Sequence, residues 1–391
     1  MSVNQKIEPL ELFLNAKPLY YDVIDYDRMP RIYAAIKQHF SLPEIIHIVG
    51  TNAKGSSGRY LAIALQRLGF DTGHYTSPHI VRFNERIWRN GHDASDEALE
   101  TAHKWLLELL DPSDAKTLSY FEYTTLLAMR VFQGCEYVVL EAGLGGEHDA
   151  TNVFSKRLSL FTPIDFDHQD FLGDTIEAIA FTKMRSMADI ALCARQPHPK
   201  SYEVFNALAI QRNVSAYTLE SVIDDAQRDA VKALIERHHL AGYMADNIQN
   251  AWGVLELLGH KADIALFDAV PLFGRMTPLR HNIFLDVGHN PLAARAIADH
   301  FKGRKIRLIY NSYADKDYKT ILEILKPVIE RVELIPIANQ RAEAPEALIR
   351  CLEELDIAHV GYDGYGDKNT YLVFGSFSVA EAFLACHTDG F

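Results

Sequence analysis

The sequence has few of the features that mark secreted, zinc-binding or membrane-spanning proteins. Its four cysteines, Cys135, Cys193, Cys351 and Cys386, are far apart and form no C-x-x-C pair. This spacing argues against a zinc site or a disulfide framework and favours a reducing compartment. No apolar run reaches the roughly 18 residues needed to cross a bilayer, and the opening MSVNQKIEPLELF lacks the basic-then-apolar order of a signal peptide. We therefore expect a soluble cytoplasmic protein.

Positive charge is also scarce. The chain has 39 Lys and Arg against 52 Asp and Glu, which gives a formal net charge of −13, and no basic tract stands out. Such a charge repels a phosphate backbone and an anionic lipid surface, so we expect neither nucleic acid nor membrane as a partner. Apolar residues, in contrast, make up 48% of the 391 residues. That content can fill the two cores expected of a chain of this length.

Short apolar runs alternate with segments whose apolar residues recur at helical spacing. The strand candidates IIHIVG, YVVLEAG and LSLFTPI are separated by helix candidates such as KGSSGRYLAIALQRLG and DNIQNAWGVLELLG. This alternation is typical of parallel βαβ units. A second series follows PLFGRMTP (271–278) and runs from NIFLDVG to TYLVFGS and SVAEAFLAC. The sequence therefore predicts an α/β protein with two domains, a parallel-sheet domain at 1–273 and a smaller doubly wound domain at 274–391.

The stretch HIVGTNAKGSSGRY (47–60) places a glycine-bearing loop between a strand candidate at 44–49 and a helix candidate at 56–69. Such loops hold phosphate through unpaired backbone N–H groups and the positive end of the helix dipole. Lys54 would add a cation for the phosphates, and Ser56 or Ser57 an oxygen near a bound metal. The strict G-x-x-x-x-G-K-[ST] pattern is absent, so a tight turn with a solvated lysine is the alternative.

Polar side chains follow two further strand candidates. Ser77, Pro78, His79 and Arg82 come after DTGHYT and offer a hydroxyl for magnesium and basic groups for an anionic substrate. The alternative interpretation of this segment is a Ser-Pro turn with surface charges. Glu141 ends the apolar run YVVLE. A carboxylate there is costly to bury unless it binds a cation, so a metal ligand and a structural salt bridge are the two interpretations.

The run LFTPIDFDHQDFLGDT leads from another apolar strand into Asp165, Asp167, His168 and Asp170. A histidine beside acidic groups at a strand end is a candidate metal ligand. Lys183 follows in a helical pattern with mostly apolar neighbours, where an ordinary snorkelling lysine is the alternative.

A third cluster opens the second predicted domain. DVGHNP places Asp286 and His289 at the end of its first strand, and Arg275 lies shortly before them. A cation and a carboxylate at a domain junction could hold a nucleotide, because clefts between domains are favoured ligand sites. The polar loop NSYADKD (311–317) is equally compatible with solvation and with function.

In this order the segments resemble the folylpolyglutamate synthase and dihydrofolate synthase family, a branch of the Mur-type ligases. The resemblance covers most of the chain and rests on HIVGTNAKGSS, YTSPHIVRFNERI, SYFEYTT, VVLEAGLGGEHDATN, DHQDFLGDTIEAIAFTK, FGRM, LDVGHNP and ADKD. It implies a P-loop ATPase domain, a C-terminal Rossmann-like domain, ATP between them and a monomeric protein. The implied reaction is ATP-dependent addition of L-glutamate to dihydropteroate, to a reduced folate, or to both, through an acyl phosphate.

The resemblance also implies a nucleotide site and catalytic metals. The implied ATP contacts are Gly50, Thr51, Asn52, Lys54, Gly55, Ser56, Ser57, Asn247, Arg275, Asp286 and His289. Ser77 and Glu141 would bind a first Mg²⁺, and Glu141 with His168 a second. Lys183 would be carbamylated, which makes it a carboxylate-like group that stabilises that metal. The catalytic set would then be Lys54, His168 and Lys183.

An acceptor pocket is implied as well. Tyr120 and Phe121 align with an aromatic patch, where flat rings would stack on a pterin. The implied acceptor contacts are Pro78, His79, Arg82, Tyr120 and Phe121.

Several positions depart from the family pattern. Ala53 replaces a glycine, at a cost of roughly 1 kcal/mol or more if its φ is positive. Glu147 stands where an arginine is common, and Met-Arg-Ser follows Lys183 in place of Ala-Gly-Ile. Tyr243 and Met244 replace a His-Gln pair. Two alternatives therefore remain open, a Mur-type ligase for a non-folate carboxylate and a nucleotide-binding module without catalysis.

Overall fold

The computed structural model describes residues 8–18 and 25–387, and these divide into two compact units. The first lies within Met1–Arg228 and Asp246–Asp268, and the second within Asp229–Ala245 and Ala269–Phe391. The predicted domain division between residues 273 and 274 stays a prediction. Residues 1–7, which entered the signal-peptide argument, and the side chain of Asp170 lie outside the described part.

The described part of the first unit contains an eight-stranded sheet. Its strands are β1 (Glu44–Val49), β2 (Thr72–Tyr75), β3 (Ile87–Arg89), β4 (His92–Asp93), β5 (Tyr137–Glu141), β6 (Leu158–Phe161), β7 (Ile190–Cys193) and β8 (Ser215–Thr218). The α-helices that precede β9 in the chain are α1 (Leu10–Asn15), α2 (Arg28–Ile36), α3 (Lys54–Arg67), α4 (Asp96–Leu109), α5 (Pro112–Thr117), α6 (Tyr120–Val131), α7 (Gln169–Leu172), α8 (Ile176–Met184), α9 (Pro199–Arg212), α10 (Leu219–Val222), α11 (Asp225–Arg237) and α12 (Met244–Leu257), of which α11 lies mostly in the second unit and α12 mostly in the first. Short 3-10 helices lie at Lys37–His39, Phe83–Arg86, Ala150–Val153 and Ile264–Phe267.

The strand β1 lies inside the first sheet, whose order is β4-β3-β2-β5-β1-β6-β7-β8. Neighbours from β2 to β8 pair in parallel, whereas β3 and β4 add an antiparallel edge. Burial on both faces explains why β1 and β5 read as continuous apolar runs rather than as alternating ones. Because parallel strands end at one edge, the loops after β1, β2, β5 and β6 are brought to the same edge of the sheet.

The described part of the second unit contains a six-stranded sheet of order β13-β12-β11-β14-β10-β9. Its strands are β9 (Thr277–Arg280), β10 (Ile283–Leu285), β11 (Ile306–Tyr310), β12 (Ile329–Leu334), β13 (His359–Gly361) and β14 (Tyr371–Phe374). Its helices are α13 (Pro291–His300), α14 (Tyr318–Leu325), α15 (Pro345–Glu354) and α16 (Phe377–Ala385). Only β9, which contains a proline and lies at an edge, pairs antiparallel. The predicted doubly wound α/β architecture is confirmed.

Separate apolar clusters stabilise the two units. In the first unit, buried side chains of α4 and α6 pack with Val138 and Leu140 of β5, and a further cluster joins Phe161 of β6 to α8 and α9. The second unit has its own cluster around β11, α13 and α14. All four cysteines are free thiols. In the described ranges, no helix has the length and apolar character of a membrane span.

Candidate active site

The loop between β1 and α3 is tightly packed where it leaves the sheet. Strand β1 has the predicted bounds, whereas α3 begins at Lys54, two residues before the predicted start. A Cβ at Gly50 would lie 2.0 Å from Oγ1 of Thr162, so only glycine fits where the chain leaves the strand. Ala53 precedes the helix with φ 71° and ψ −5°, in the left-handed region. The condition under which alanine is costly at this position, a positive φ, is therefore met.

Replacing Ala53 with glycine is expected to stabilise the protein by up to about 1 kcal/mol. A Cβ in the left-handed region costs roughly 1–2 kcal/mol, and the greater freedom of glycine in the unfolded chain offsets part of the gain. Urea unfolding measures the change. The control is Ala34→Gly on the exposed face of α2, which should destabilise by about 1 kcal/mol. Destabilisation of both variants would contradict strain at Ala53.

Lys54 is held inside the loop. Its ammonium donates to the carbonyl oxygens of Gly50 and Thr51, both at 3.2 Å, and lies 3.9 Å from Oε1 of Glu141. Its side chain is only 15% exposed. The alternative of a solvated lysine is therefore excluded, and a cation stands at the N-terminus of α3, where phosphate binding is favoured.

Glu141 ends β5 beside the first turn of α3. The residue is 4% exposed, and its Oε2 accepts hydrogen bonds from the hydroxyl of Thr76 and, at 3.4 Å, from the amide of Ser77. A Cβ at Gly55 would lie 3.2 Å from the same oxygen, so a glycine lets the carboxylate approach the helix. Thr76 was not predicted, although it directly precedes Ser77 at the end of β2. The loops after β1, β2 and β5 thus meet as expected.

The residues around Glu141 suit magnesium better than a transition metal. Within the described ranges, no three His, Cys, Asp or Glu side chains are grouped so that they alone could hold a metal ion. Mg²⁺ commonly takes one or two carboxylates and completes its shell with water and substrate phosphates. Glu141 and the neighbouring Ser77, which a cis peptide joins to Pro78, fit that donor set.

The loop after β6 is tied to the phosphate loop. The hydroxyl of Thr51 donates to the carbonyl of Asp165 at 3.0 Å and accepts from the amide of Asp165 at 3.1 Å. The Asp165 carboxylate lies 2.8 Å from Nε2 of His198. His168 directly precedes α7 and lies in the left-handed region, with φ 53°, and its Nε2 is 3.7 Å from Oδ2 of Asp167. The structure thus anchors the backbone of this loop beside Thr51, and the role of His168 as a metal ligand stays a prediction.

Lys183 lies on α8 and turns inward. The residue is 4% exposed, and its Nζ donates to the carbonyl oxygen of Gly50 at 3.0 Å. Burial, and then the charge of Lys54, lower the pKa of Lys183 to about 7. A snorkelling lysine would place its ammonium in solvent, so that alternative is excluded. Lys54 and Lys183 share the same carbonyl oxygen.

The glycine-rich turn after β5 packs on α8. A Cβ at Gly146 would lie 2.3 Å from the carbonyl oxygen of Lys183, which explains why this position is glycine. The buried Asp149, which was not predicted although it lies in the quoted motif, accepts the amides of Leu144 and Thr151, each at 2.9 Å. Hydrogen bonds within the turn therefore fix its conformation, and Gly146 allows it to pack closely against α8.

Two departures from the family pattern offset each other. The carboxylate of Glu147 lies 2.7 Å from Nη2 of Arg185, the arginine of the Met-Arg-Ser segment that follows Lys183. The side chains are 23% and 46% exposed, so the pair is worth at most about 1 kcal/mol. The negative charge of Glu147 is thus paired with the positive charge of Arg185, which reduces its effect on the phosphate loop.

The predicted acceptor residues lie at the start of α6 and in the segment after β2. Phe121 packs under the turn, because a Cβ at Gly143 would lie 2.7 Å from its ring. The ring of Tyr120 lies 6.2 Å from that of Phe83. The predicted substrate residue Arg82, in contrast, is 63% exposed and bonds the exposed Asp96 at 3.0 Å.

His79 carries no charge near pH 7. Its Nδ1 accepts a hydrogen bond of 2.8 Å from Nε of Arg86. Burial, and then the Arg86 charge, lower the pKa of His79 to about 4. The positive charge in this part of the site belongs to Arg86, which sequence reasoning did not single out although it lies in the quoted segment YTSPHIVRFNERI.

Asn247 links α12 to the phosphate-loop helix. It is buried, and its Oδ1 accepts from the hydroxyl of Ser57 at 3.4 Å, while Nδ2 of Asn250 donates to the same hydroxyl at 3.2 Å. The Ser57 side chain therefore joins two helices.

Asp286 lies at the carboxyl end of β10. Its buried carboxylate accepts from the hydroxyl of Tyr243 at 2.7 Å and from the amides of Met276 and Gly288 at 3.1 and 2.8 Å. Tyr243 is one of the departures from the family pattern, and it directly orients a predicted nucleotide contact. The other departure, Met244, packs in the apolar cluster of the second unit.

Two more predicted nucleotide contacts lie near Asp286 in sequence. The guanidinium of Arg275 lies 6.0 Å from the ring centroid of Phe377, and Nδ1 of His289 is 3.2 Å from the carbonyl oxygen of Val287. Their roles stay predictions.

Removing the Tyr243 hydroxyl in Tyr243→Phe is expected to weaken ATP binding about 3- to 10-fold, with a smaller effect on kcat. The loss corresponds to one hydrogen bond to a carboxylate. Competition binding with ADP and steady-state kinetics measure it. Tyr362→Phe, which removes the hydroxyl bonded to His387 in the same unit, is the control. Equal effects in the two variants would contradict a role of Tyr243 at the nucleotide.

Proteins of known function resemble this chain in sequence and in structure. No protein-family model matches the chain. A dihydrofolate synthase/folylpolyglutamate synthase of Mycobacterium tuberculosis is 30% identical over 361 residues, which cover 78% of this chain and 72% of that protein. The crystal structure of Helicobacter pylori folylpolyglutamate synthetase is 38% identical with a TM-score of 0.79, and the match covers 97% of this chain and 98% of that one. A Mycobacterium tuberculosis folylpolyglutamate synthase complexed with ADP has the same fold, with a TM-score of 0.82 at 24% identity and with 96% and 97% of the two chains covered.

Proposed function

The chain belongs to the dihydrofolate synthase/folylpolyglutamate synthase family, and we propose that it is an ATP-dependent ligase that joins L-glutamate to dihydropteroate, to reduced folates, or to both. One observation carries the proposal. Lys54, Glu141 and Lys183 come from three different segments and meet at the phosphate loop, where Lys54 and Lys183 bond one carbonyl oxygen and Lys54 lies 3.9 Å from Glu141.

The reaction proceeds through an acyl phosphate. The carboxylate of the acceptor attacks the γ-phosphoryl group of ATP, ADP leaves, and the α-amine of glutamate then displaces phosphate from the acyl carbon. Negative charge builds on the transferred phosphoryl group, and Lys54 together with the N-terminus of α3 offsets it. The Gly50–Gly55 loop holds the phosphates in place for the transfer.

Two Mg²⁺ ions complete the proposed site. Ser77 and Glu141 would hold the first, and Glu141 with His168 the second. Bound magnesium supplies positive charge to the phosphates during transfer. Thr76 donates to Glu141 and holds its carboxylate in one orientation.

Carbamylation of Lys183 fits its environment. Only the neutral amine reacts with CO₂, and with a pKa of about 7 about half of the amine is neutral at pH 7, against roughly one in three thousand for an ordinary lysine. The resulting carboxyl group would face the site of the second metal. We further propose a monomeric, cytoplasmic enzyme, in accord with the free cysteines.

A glutamate-incorporation assay tests the proposed function. Purified protein receives ATP, magnesium and labelled L-glutamate, with dihydropteroate and tetrahydrofolate offered separately, and both product and ADP are measured. We expect ADP and glutamylated product with at least one acceptor. If neither dihydropteroate nor tetrahydrofolate yields product or ADP, the proposal is refuted. ADP release with a different carboxylic acid would support the Mur-type alternative, and nucleotide binding without turnover the non-catalytic one.

A further inference from the structure

The loop after β6 is bonded to the phosphate loop through backbone groups. The carbonyl oxygen of Pro163 accepts from the amides of Thr51 and Asn52 at 2.9 and 3.2 Å. The Thr51 hydroxyl forms the pair of hydrogen bonds with the Asp165 backbone described above. Because these bonds converge on two consecutive residues of the phosphate loop, the conformation of Thr51 and Asn52 depends on where Pro163 and Asp165 lie.

The side chain of Asp165 is bonded in turn to the segment after β7. Its Oδ1 lies 2.8 Å from Nε2 of His198 and accepts from the amide of Phe166 at 2.9 Å. A carboxylate only accepts hydrogen bonds, so the imidazole is the donor. The Asp165 side chain is 12% exposed, and a carboxylate so far removed from water needs donors of this kind. His198 is therefore one of the groups that fix the position of Asp165.

The segment that carries His198 is itself fixed by Gln196. The side-chain oxygen of Gln196 accepts from the amide of Ile164 at 3.0 Å. Its side-chain nitrogen lies 3.3 Å from each of the carbonyl oxygens of Phe161 and Thr162, to which it donates. Two residues later, His198 directly precedes α9. The imidazole is thus presented to Asp165 from a segment that is bonded to the end of β6.

The fold of this region does not depend on the bond between His198 and Asp165. Strands β6 and β7 pair in parallel, and Phe161 of β6 packs on Phe205 of α9 with ring centroids 6.0 Å apart. Burial of apolar side chains is the larger contribution to stability. The consequence of losing the bond is therefore expected in the phosphate loop rather than in the fold of the unit.

We propose that His198 is a positioning residue of the nucleotide site. By bonding the Asp165 carboxylate it fixes the Asp165 backbone, and through that backbone it holds Thr51 and Asn52 in the conformation that binds phosphate. The inference rests on the proposed function for the identity of the nucleotide. It makes His198 a residue whose loss weakens the binding of ATP and ADP and leaves the binding of the acceptor unchanged.

Binding of ADP tests the inference without turnover. Dissociation constants are measured by calorimetry for the wild type, His198→Ala, His198→Gln and the control His260→Ala, which removes a ring bonded to the Tyr137 hydroxyl at the start of β5. His198→Ala should bind ADP about 3- to 10-fold more weakly, the loss expected of one hydrogen bond to a carboxylate. His198→Gln keeps an N–H donor and should fall between His198→Ala and the wild type. His260→Ala should bind ADP as the wild type does.

Further readouts separate positioning from a general effect on the fold. Without nucleotide, the amides of Thr51 and Asn52 should exchange with deuterium faster in His198→Ala than in the wild type, and His260→Ala should leave them unchanged. In an Asp165→Ala background, His198→Ala should weaken ADP binding by less than about 2-fold further, because its effect runs through that carboxylate. In turnover, the KM for ATP should rise while the KM for the acceptor stays the same.

Three results would overturn the inference. They are a wild-type affinity for ADP in His198→Ala, an equal loss of affinity for ADP and dihydropteroate, which would show a general loosening of the unit, and additive effects of the His198 and Asp165 substitutions. If the wild type binds ADP but forms no product with either acceptor, the proposed function fails, and the ADP measurements still decide the role of His198. If the wild type does not bind ADP, both fail.

Discussion

Replacing Lys183 with alanine is expected to lower kcat at least about 100-fold. The variant loses the amine that would carry the carbamate, and with it the carboxyl group at the second metal. Short carboxylic acids such as acetate should restore part of the activity, because they can place a carboxylate in the space left by the side chain. ADP release at increasing acetate concentration measures the recovery.

A second buried lysine provides the control for Lys183. Lys156 also has a pKa lowered to about 8 by burial, but it donates to the carbonyl of Ser186 and to Asn152. Activity lost in Lys156→Ala should not return with acetate. Near-wild-type activity of Lys183→Ala without added acid would refute the carbamate.

The carbamate should also depend on pH in a defined direction. The pKa of Lys183 lies near 7, so the neutral, reactive amine increases as the pH rises from 6 to 8. The ¹³C signal of a carbamate formed from labelled bicarbonate should therefore grow over this range and be absent in Lys183→Ala. A signal that falls with rising pH would contradict the assignment.

Replacing Lys54 with alanine is expected to lower kcat by about 100- to 1,000-fold, the loss typical of removing one preorganised charge from a transition state. In the wild type, the two loop carbonyls hold the ammonium close to Glu141, so the cation is in place before ATP binds. Single-turnover measurement of ADP formation separates this effect from substrate binding.

Two variants define the specificity of the Lys54 effect. Lys54→Arg keeps the charge but changes the geometry of the donors, and it should retain more activity than Lys54→Ala. Lys104→Ala removes an exposed lysine of α4 and should turn over at the wild-type rate. A wild-type kcat in Lys54→Ala would contradict the proposed role of Lys54 in phosphoryl transfer.

The sequence predicted the elements that position the site, since buried parallel strands read as continuous apolar runs. It placed β1 correctly, and it placed Glu141 and Ser77 at strand ends that the parallel sheet brings together. The start of α3 was predicted two residues late, because Lys54 and Gly55 read as loop residues. The edge strand β9 was not predicted, since its proline weakens the strand pattern.

The contacts that orient the site could not be predicted from local patterns. Thr76 and Glu141 are 65 residues apart, and Tyr243 and Asp286 are 43 apart. Periodicity reports which face of an element is buried, whereas these bonds depend on how separate elements pack.

The shared carbonyl of Gly50 makes the two lysines mutually dependent. As ammonium groups, Lys54 and Lys183 both donate to this one oxygen and repel each other. Carbamylation leaves Lys183 with a single N–H and adds two acceptor oxygens, so repulsion between like charges becomes attraction between opposite ones. The concentration of dissolved CO₂ would then determine the strength of the electrostatic interaction that positions Lys54. The conformation of the phosphate loop would therefore depend on bicarbonate as well as on ATP.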